Sequence, residues 1–230
     1  MIDFANATFY VIKLRREFFE ACGVLFGFIL VGYLISDMIQ DLLAQYAMNK
    51  LAFFSLQEVF VTKLKLSFFI GLFLSFPIFC YKSWKIFSKE MGNIHPIVTL
   101  ITLSIAVGLF CTGAFLCYKF VVPVGIKILI GFGGGVLEPF ISVDKYIIFC
   151  VKLILVFGLI FELPLVMIIL SRIGIVTNQK MRKFRKYALL LIAVTSALAT
   201  PPDIYSQIIV MVPMVLLYEI SVLLVRLSGK

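Results

Sequence analysis

The sequence predicts an all-α integral membrane protein with six transmembrane helices, both termini inside, and short fifth and sixth helices. Three observations predict it. The 230 residues are 62% hydrophobic and only 14% charged, against roughly 45–50% apolar content in ordinary soluble domains. The apolar residues gather into stretches separated by short charged segments, which suits a bilayer better than one globular core. Lysine and arginine also concentrate in alternate connecting segments, the pattern that sets membrane orientation.

The elements follow in order within one polytopic domain, 1–230. Phe9 to Glu20 mixes bulky apolar residues with charges, and Lys13/Glu17 and Arg16/Glu20 are each four apart. Such pairs meet on one helix face, so an interfacial helix is expected at about 9–20. Spans are expected at about 18–36, 66–82, 96–118, 146–171, 187–200 and 204–222. The third is free of charge from Ile97 to Tyr118. Asp37 to Lys65 and Lys119 to Lys145 are expected as connections, and Arg172 to Lys186 as a basic loop. The last two spans, joined by Pro201, Pro202 and Asp203, reach only ~20–23 Å each against a ~30 Å hydrocarbon core. Two short spans that thin the bilayer are favoured over one re-entrant hairpin.

Orientation follows from counting cations. With both termini inside, the inside segments hold fourteen: Lys13, Arg15 and Arg16, then Lys82, Lys85 and Lys89, six between Arg172 and Lys186, and Arg226 with Lys230. The outside loops hold six: Lys50, Lys63, Lys65, Lys119, Lys127 and Lys145. The positive-inside rule selects this orientation. The same placement explains the formal charge of +9 as topology-setting, and it argues against nucleic acid as a partner.

One residue stands out. Glu162 lies in the apolar run Phe157–Leu170, two residues before Pro164. A charge at mid-membrane costs about 2.5–3.5 kcal/mol even on the lenient insertion scale, so an intramembrane carboxylate marks function by default. Pro164 removes a backbone donor and predicts a kink beside it.

Enzyme chemistry finds little support. His95 is the one histidine, and the sequence has neither H-E-x-x-H nor G-x-S-x-G, so no metal site, cofactor or catalytic residue is expected. The glycines from Gly131 to Gly135 are followed by no Lys-Ser or Lys-Thr and read as a loop, not a phosphate cradle. The five cysteines all lie in apolar segments without metal or redox spacing. An ion-coupled secondary transporter using Glu162 is the alternative function, though no inverted repeat supports it. A receptor or scaffold that gathers other membrane helices is the third class. Polar residues such as Ser196 and Gln207 would pair with partner helices in lipid. They would equally tie together this protein's own helices, and both readings stay open at this point.

An ordered set of motifs then carries a resemblance. Phe161-Glu162-Leu163-Pro164 is followed by a basic segment and by T-P-P-D-I-Y-S-Q at Thr200–Gln207, with Pro213 and Tyr218-Glu219 downstream. Upstream lie Leu14-Arg15, Glu58 with Phe60, Lys65-Leu66, Pro77, Tyr81, Trp84 and Phe87. Gly113, Phe115, Tyr118 and Pro123 follow, then Ile141-Ser142 and Tyr146. The chain from about Phe9 to Arg226 resembles TatC, the core subunit of the twin-arginine protein translocase.

The resemblance implies a cup-shaped receptor and scaffold that exports folded proteins across an energised membrane, using the proton-motive force. It implies signal-peptide binding on the cytoplasmic face by Lys13, Arg15, Glu17, Glu90 and His95. Glu162 becomes the carboxylate of the concave face, Gln207 a residue that reaches partner helices, and Pro201-Pro202-Asp203 the outer turn. Partners would be TatA/TatB-type single-span proteins, signal peptides and the lipid bilayer, in homo- and hetero-oligomers. The location would be a bacterial cytoplasmic membrane, or else a mitochondrial inner or plastid thylakoid membrane.

Two departures bear on the receptor role. Where the family carries L-x-E-L-R-x-R, this chain has Lys13 at the glutamate position and Glu17 at the second arginine position. A second signal-binding glutamate corresponds to His95. A charged hydrogen bond to arginine contributes roughly 1.5–3 kcal/mol, so losing two would weaken paired-arginine recognition by orders of magnitude. Either Glu17, Glu20 and Glu90 compensate, or the receptor code has relaxed.

Overall fold

The computed structural model describes residues 4–47, 51–90, 95–131, 141–200 and 204–227. They form eight helices: α1 (Phe4–Ala44), α2 (Leu56–Glu90), α3 (Pro96–Leu116), α4 (Val122–Gly131), α5 (Val143–Phe161), α6 (Leu163–Arg172), α7 (Asn178–Ala199) and α8 (Ile204–Leu227). Two joints merge these into six spans. A five-residue π turn, Cys117–Val121, links α3 to α4, and Glu162 alone separates α5 from α6.

Both joints have a proline cause. Pro123 cannot donate to the carbonyl of Lys119, and its ring would crowd that carbonyl, so the backbone opens into a wider turn just before it. Pro164 acts likewise on the turn containing Glu162. The kink expected from the sequence is therefore present, and Glu162 is the residue at the break.

Several helices run past their expected boundaries. α1 is one unbroken helix of 41 residues, not an interfacial helix followed by a span, because no proline interrupts it. The connection expected from Asp37 to Lys65 is helical up to Ala44 and again from Leu56. There Asp37 pairs with Lys63 at 2.8 Å, so charge is accommodated between helix ends. The third helical rod continues beyond Tyr118, reaching Lys127 as an apolar helix of 32 residues. The basic loop expected over Arg172–Lys186 is mostly the first half of α7. Lysine and arginine are good helix formers, so their appearance marks the membrane boundary and not the end of the helix.

Among the described residues, five helices are long and apolar enough to cross a membrane. α7 is the sixth span, and its apolar part begins only after Lys186. Gly174, at φ 85°, makes the turn before α7. It takes the left-handed conformation that ends a helix, with Ile175 N–H donating to Leu170 O at 3.0 Å.

α5 is the hub. It packs against α2 and α3 and also touches α1, α6, α7 and α8. Its buried face includes Tyr146, Ile147, Cys150, Leu153 and Phe157. Without a hydrophobic drive between helices in lipid, close approach is the main source of packing energy. Gly158 supplies it against α3: a Cβ there would lie 2.6 Å from the Phe110 ring. Phe110 in turn stacks on Phe76 of α2 with ring centroids 3.8 Å apart. Large side chains such as Leu34 and Leu198 stay 79% and 80% exposed, as lipid-facing positions should.

Opposite the basic end, a short parallel pair, β1 (Leu51–Ala52) on β2 (Ile141–Ser142), ties two connections together. Glu58 anchors this cap. Its carboxylate accepts from Phe54 N–H at 2.7 Å, from Asp144 N–H at 3.2 Å and from the Ser142 hydroxyl. Asp144 accepts in turn from Thr62 at 3.1 Å and pairs with Lys65 at 2.8 Å.

Candidate functional site

The kink places Glu162 in the wall of an apolar cavity of about 600 Å³. Leu72, Phe76 and Trp84 of α2 form one side, Leu103 and Ala106 of α3 a second, and Leu159 and Val166 flank the carboxylate. Glu162 is buried, at 8% exposure. Its Oε1 has no hydrogen-bond partner among the described residues, and neither has the buried indole Nε1 of Trp84.

An unmade hydrogen bond on a buried carboxylate is strongly unfavourable in lipid. The cavity is thus apolar along most of its length, with these two unpaired polar atoms in its wall. Among the described residues, the same wall holds no second acid and no histidine, its other polar side chains being Cys80, Ser83, Trp84 and Thr102.

The predicted rim residues lie toward the basic end. Lys13, Arg15 and Glu17 are on α1 and Glu90 is the last residue of α2; their side chains fall outside the described part of the structure. His95 is described, and its contribution is structural. It caps α3, its Nδ1 accepting from Ile97 N–H at 3.4 Å. Glu20 lies 3.8 Å from Lys82, so this acid is partly neutralised before any ligand arrives. A smaller groove beside Trp84, lined also by Lys85, Ser88 and Pro96, continues the cavity's α2–α3 wall toward His95. Pro201, Pro202 and Asp203 lie outside the described residues.

Gln207 points inward. Its Nε2 donates to Ala193 O of α7 at 3.1 Å. Tyr218 donates to Met181 O at 2.9 Å, and Glu219 pairs with Arg185 at 2.7 Å. Polar contacts along their length thus fasten α7 to α8.

Known proteins share this fold. The family profile described as Sec-independent protein translocase protein (TatC) matches residues 10–213. The chain belongs to the TatC family. The Sec-independent protein translocase protein TatC of Desulforapulum autotrophicum is 34% identical over 229 residues, covering 95% of this chain and 82% of that protein. TatCd of Bacillus subtilis is 32% identical over 212 residues, covering 92% and 88%. A crystal structure of the twin-arginine translocase receptor TatC superimposes with a TM-score of 0.87 at 27% identity, covering 96% of this chain and 99% of that one. The six-span, cup-shaped architecture is thus that of TatC, and the chain is a multi-pass translocase component, not an enzyme.

A carboxylate inside an apolar run, two residues before a proline, made Glu162 legible as a candidate site residue. The partnership of Trp84 with the same cavity was not, because indole nitrogens in apolar helices usually read as core or interface. Only the α2–α3–α5 packing turns Trp84 toward Glu162's wall.

Proposed function

We propose that this protein is the receptor and assembly core of a twin-arginine translocase in a bacterial cytoplasmic membrane. It binds the signal peptide of a folded cargo at its basic, cytoplasmic end and recruits TatA/TatB-type helices within the membrane. The observation that carries the reading is the Glu162 carboxylate, its Oε1 unpartnered among the described residues, in an apolar wall that continues toward the cytoplasmic rim. A signal peptide offers the matching chemistry: cations for the rim, then an apolar segment for the wall.

Photocrosslinking in membranes tests it. Probes at Glu90 and His95 on the rim and at Leu103 in the cavity would be challenged with a paired-arginine signal peptide and its Lys-Lys variant. Arginine-dependent crosslinks at the rim, together with crosslinks at Leu103, are expected. Equal rim crosslinking by both peptides would mean that the platform persists without the arginine code. No crosslinking at Leu103 would remove the cavity from the reading.

A further inference from the structure

We propose that the groove between α7 and α8 at the basic end binds the headgroup of an anionic phospholipid, with Arg182, Arg185 and Arg226 holding its phosphate. The groove has a volume of about 390 Å³ and is a separate site from the Glu162 cavity. α7 lines it with Asn178, Arg182 and Arg185, spaced as one helix face. α8 contributes Glu219, Arg226 and an apolar strip that includes Leu216, Ile220 and Leu223.

Charge comes first. Three guanidiniums meet one carboxylate in this groove, and Glu219 is already engaged by Arg185 Nη2 at 2.7 Å. The Nε of Arg185 is buried with no partner among the described residues. Arg182 and Arg226 make no ion pair among the described residues. Guanidinium forks match phosphate oxygens better than any other cationic side chain. Asn178 adds an acceptor, its Oδ1 being buried and unpartnered, which suits a headgroup carrying a hydroxyl, such as glycerol.

Depth decides that the anion is a lipid. Arg226 sits in the last turn of α8, at the end of its membrane-spanning stretch, which closes at Leu227. On α7 the cations give way to apolar residues at Tyr187, whose ring lies 5.1 Å from Lys186 Nζ. The guanidiniums therefore lie at headgroup level. Leu216, Ile220 and Leu223 are 59%, 46% and 53% exposed and run from the groove into the apolar layer, where acyl chains would cover them. The cation count puts this end in the cytoplasmic leaflet, and basic pockets between helices on that side suit anionic headgroups. Such a lipid site depends only on the fold and its orientation, and it stands apart from signal-peptide recognition.

Native mass spectrometry of the full-length protein, offered equal phosphatidylglycerol and phosphatidylcholine in detergent, tests the assignment. Phosphatidylglycerol is expected to be retained about tenfold over phosphatidylcholine, and Arg182→Gln with Arg226→Gln to abolish that preference. Lys183→Gln with Lys186→Gln removes the same charge outside the groove and should leave the preference intact. Equal retention of both lipids by the unaltered protein, or equal loss in both double variants, would overturn the proposal. Glycerol 3-phosphate at the same concentration as the lipid should fail to displace it; full displacement would make this a soluble-phosphate site. Unchanged melting temperatures in both double variants would show that the readout reports binding.

Discussion

The two ends of the molecule treat polar groups in opposite ways. At the outer end Glu58, Asp144, Lys63, Lys65 and Asp37 are each paired, and a two-stranded ladder closes the connections. In the cavity wall and at the basic end, Glu162, Trp84 and part of Arg185 are left with unmade hydrogen bonds. Satisfied networks rigidify, whereas an unpaired buried group stores an unfavourable term that a ligand can remove. The difference teaches which groups a partner has left to satisfy: the outer end is a fastened cap, and the proposed binding rests on the unpaired groups elsewhere.

The sharpest way to break the contrast is to remove the buried acid. Glu162→Ala should lower export of a folded reporter by about tenfold or more, the scale of one charge-assisted contact, while membrane insertion is unchanged. Full export by this variant would take Glu162 out of the mechanism. Next in size, Lys13→Glu combined with His95→Glu restores the two missing anions at the rim. Affinity for a paired-arginine peptide, measured by fluorescence anisotropy, should rise about tenfold or more. An unchanged affinity would mean that other acids already hold the guanidiniums.

The close approach of α5 to α3 can be probed from α5. Gly158→Val drives a side chain into the Phe110 ring and should destabilise the protein by about 1–3 kcal/mol. Gly108→Val, where nothing lies within 4 Å, serves as a neutral control in the same unfolding assay in detergent. Glu58→Ala sharpens the comparison from the capped end. Hydrogen exchange at Leu51–Ala52 and Ile141–Ser142 should accelerate while crosslinking at His95 stays the same. Spread of the exchange to the basic end would show that the two ends are coupled. The smallest effect is expected from Gln207→Leu, which loses its bond to Ala193 O at a cost below ~1 kcal/mol. A loss of partner-helix crosslinking at unchanged stability would instead assign Gln207 to the interface with a partner.

Boundaries were the weakest part of what the sequence reveals. Composition changes sharply at Lys186–Tyr187, yet α7 starts at Asn178, because a helix need not stop where the solvent does. Asp37 and Lys63 resemble loop charges in isolation, but they are helical and face each other. His95 reads as a substituted binding residue, and its cap on α3 shows a second reason for a polar side chain there.

The sequence by itself determined the membrane class, the inside-positive orientation, the proline kink at Glu162 and, through the order of its motifs, the family. Those properties depend on composition and local backbone chemistry, which are written residue by residue. Only the tertiary structure decided which polar groups are left unpaired. That depends on which helix faces meet, and those faces are chosen by contacts between distant residues: Gly158 against Phe110, Phe110 against Phe76, and Tyr146, whose hydroxyl donates to Leu43 O at 2.7 Å across the fold. No local pattern encodes them, and they bring Trp84 and Glu162 to one wall, while the contacts of Tyr218 with Met181 and of Glu219 with Arg185 bring Arg182 and Arg226 to one groove.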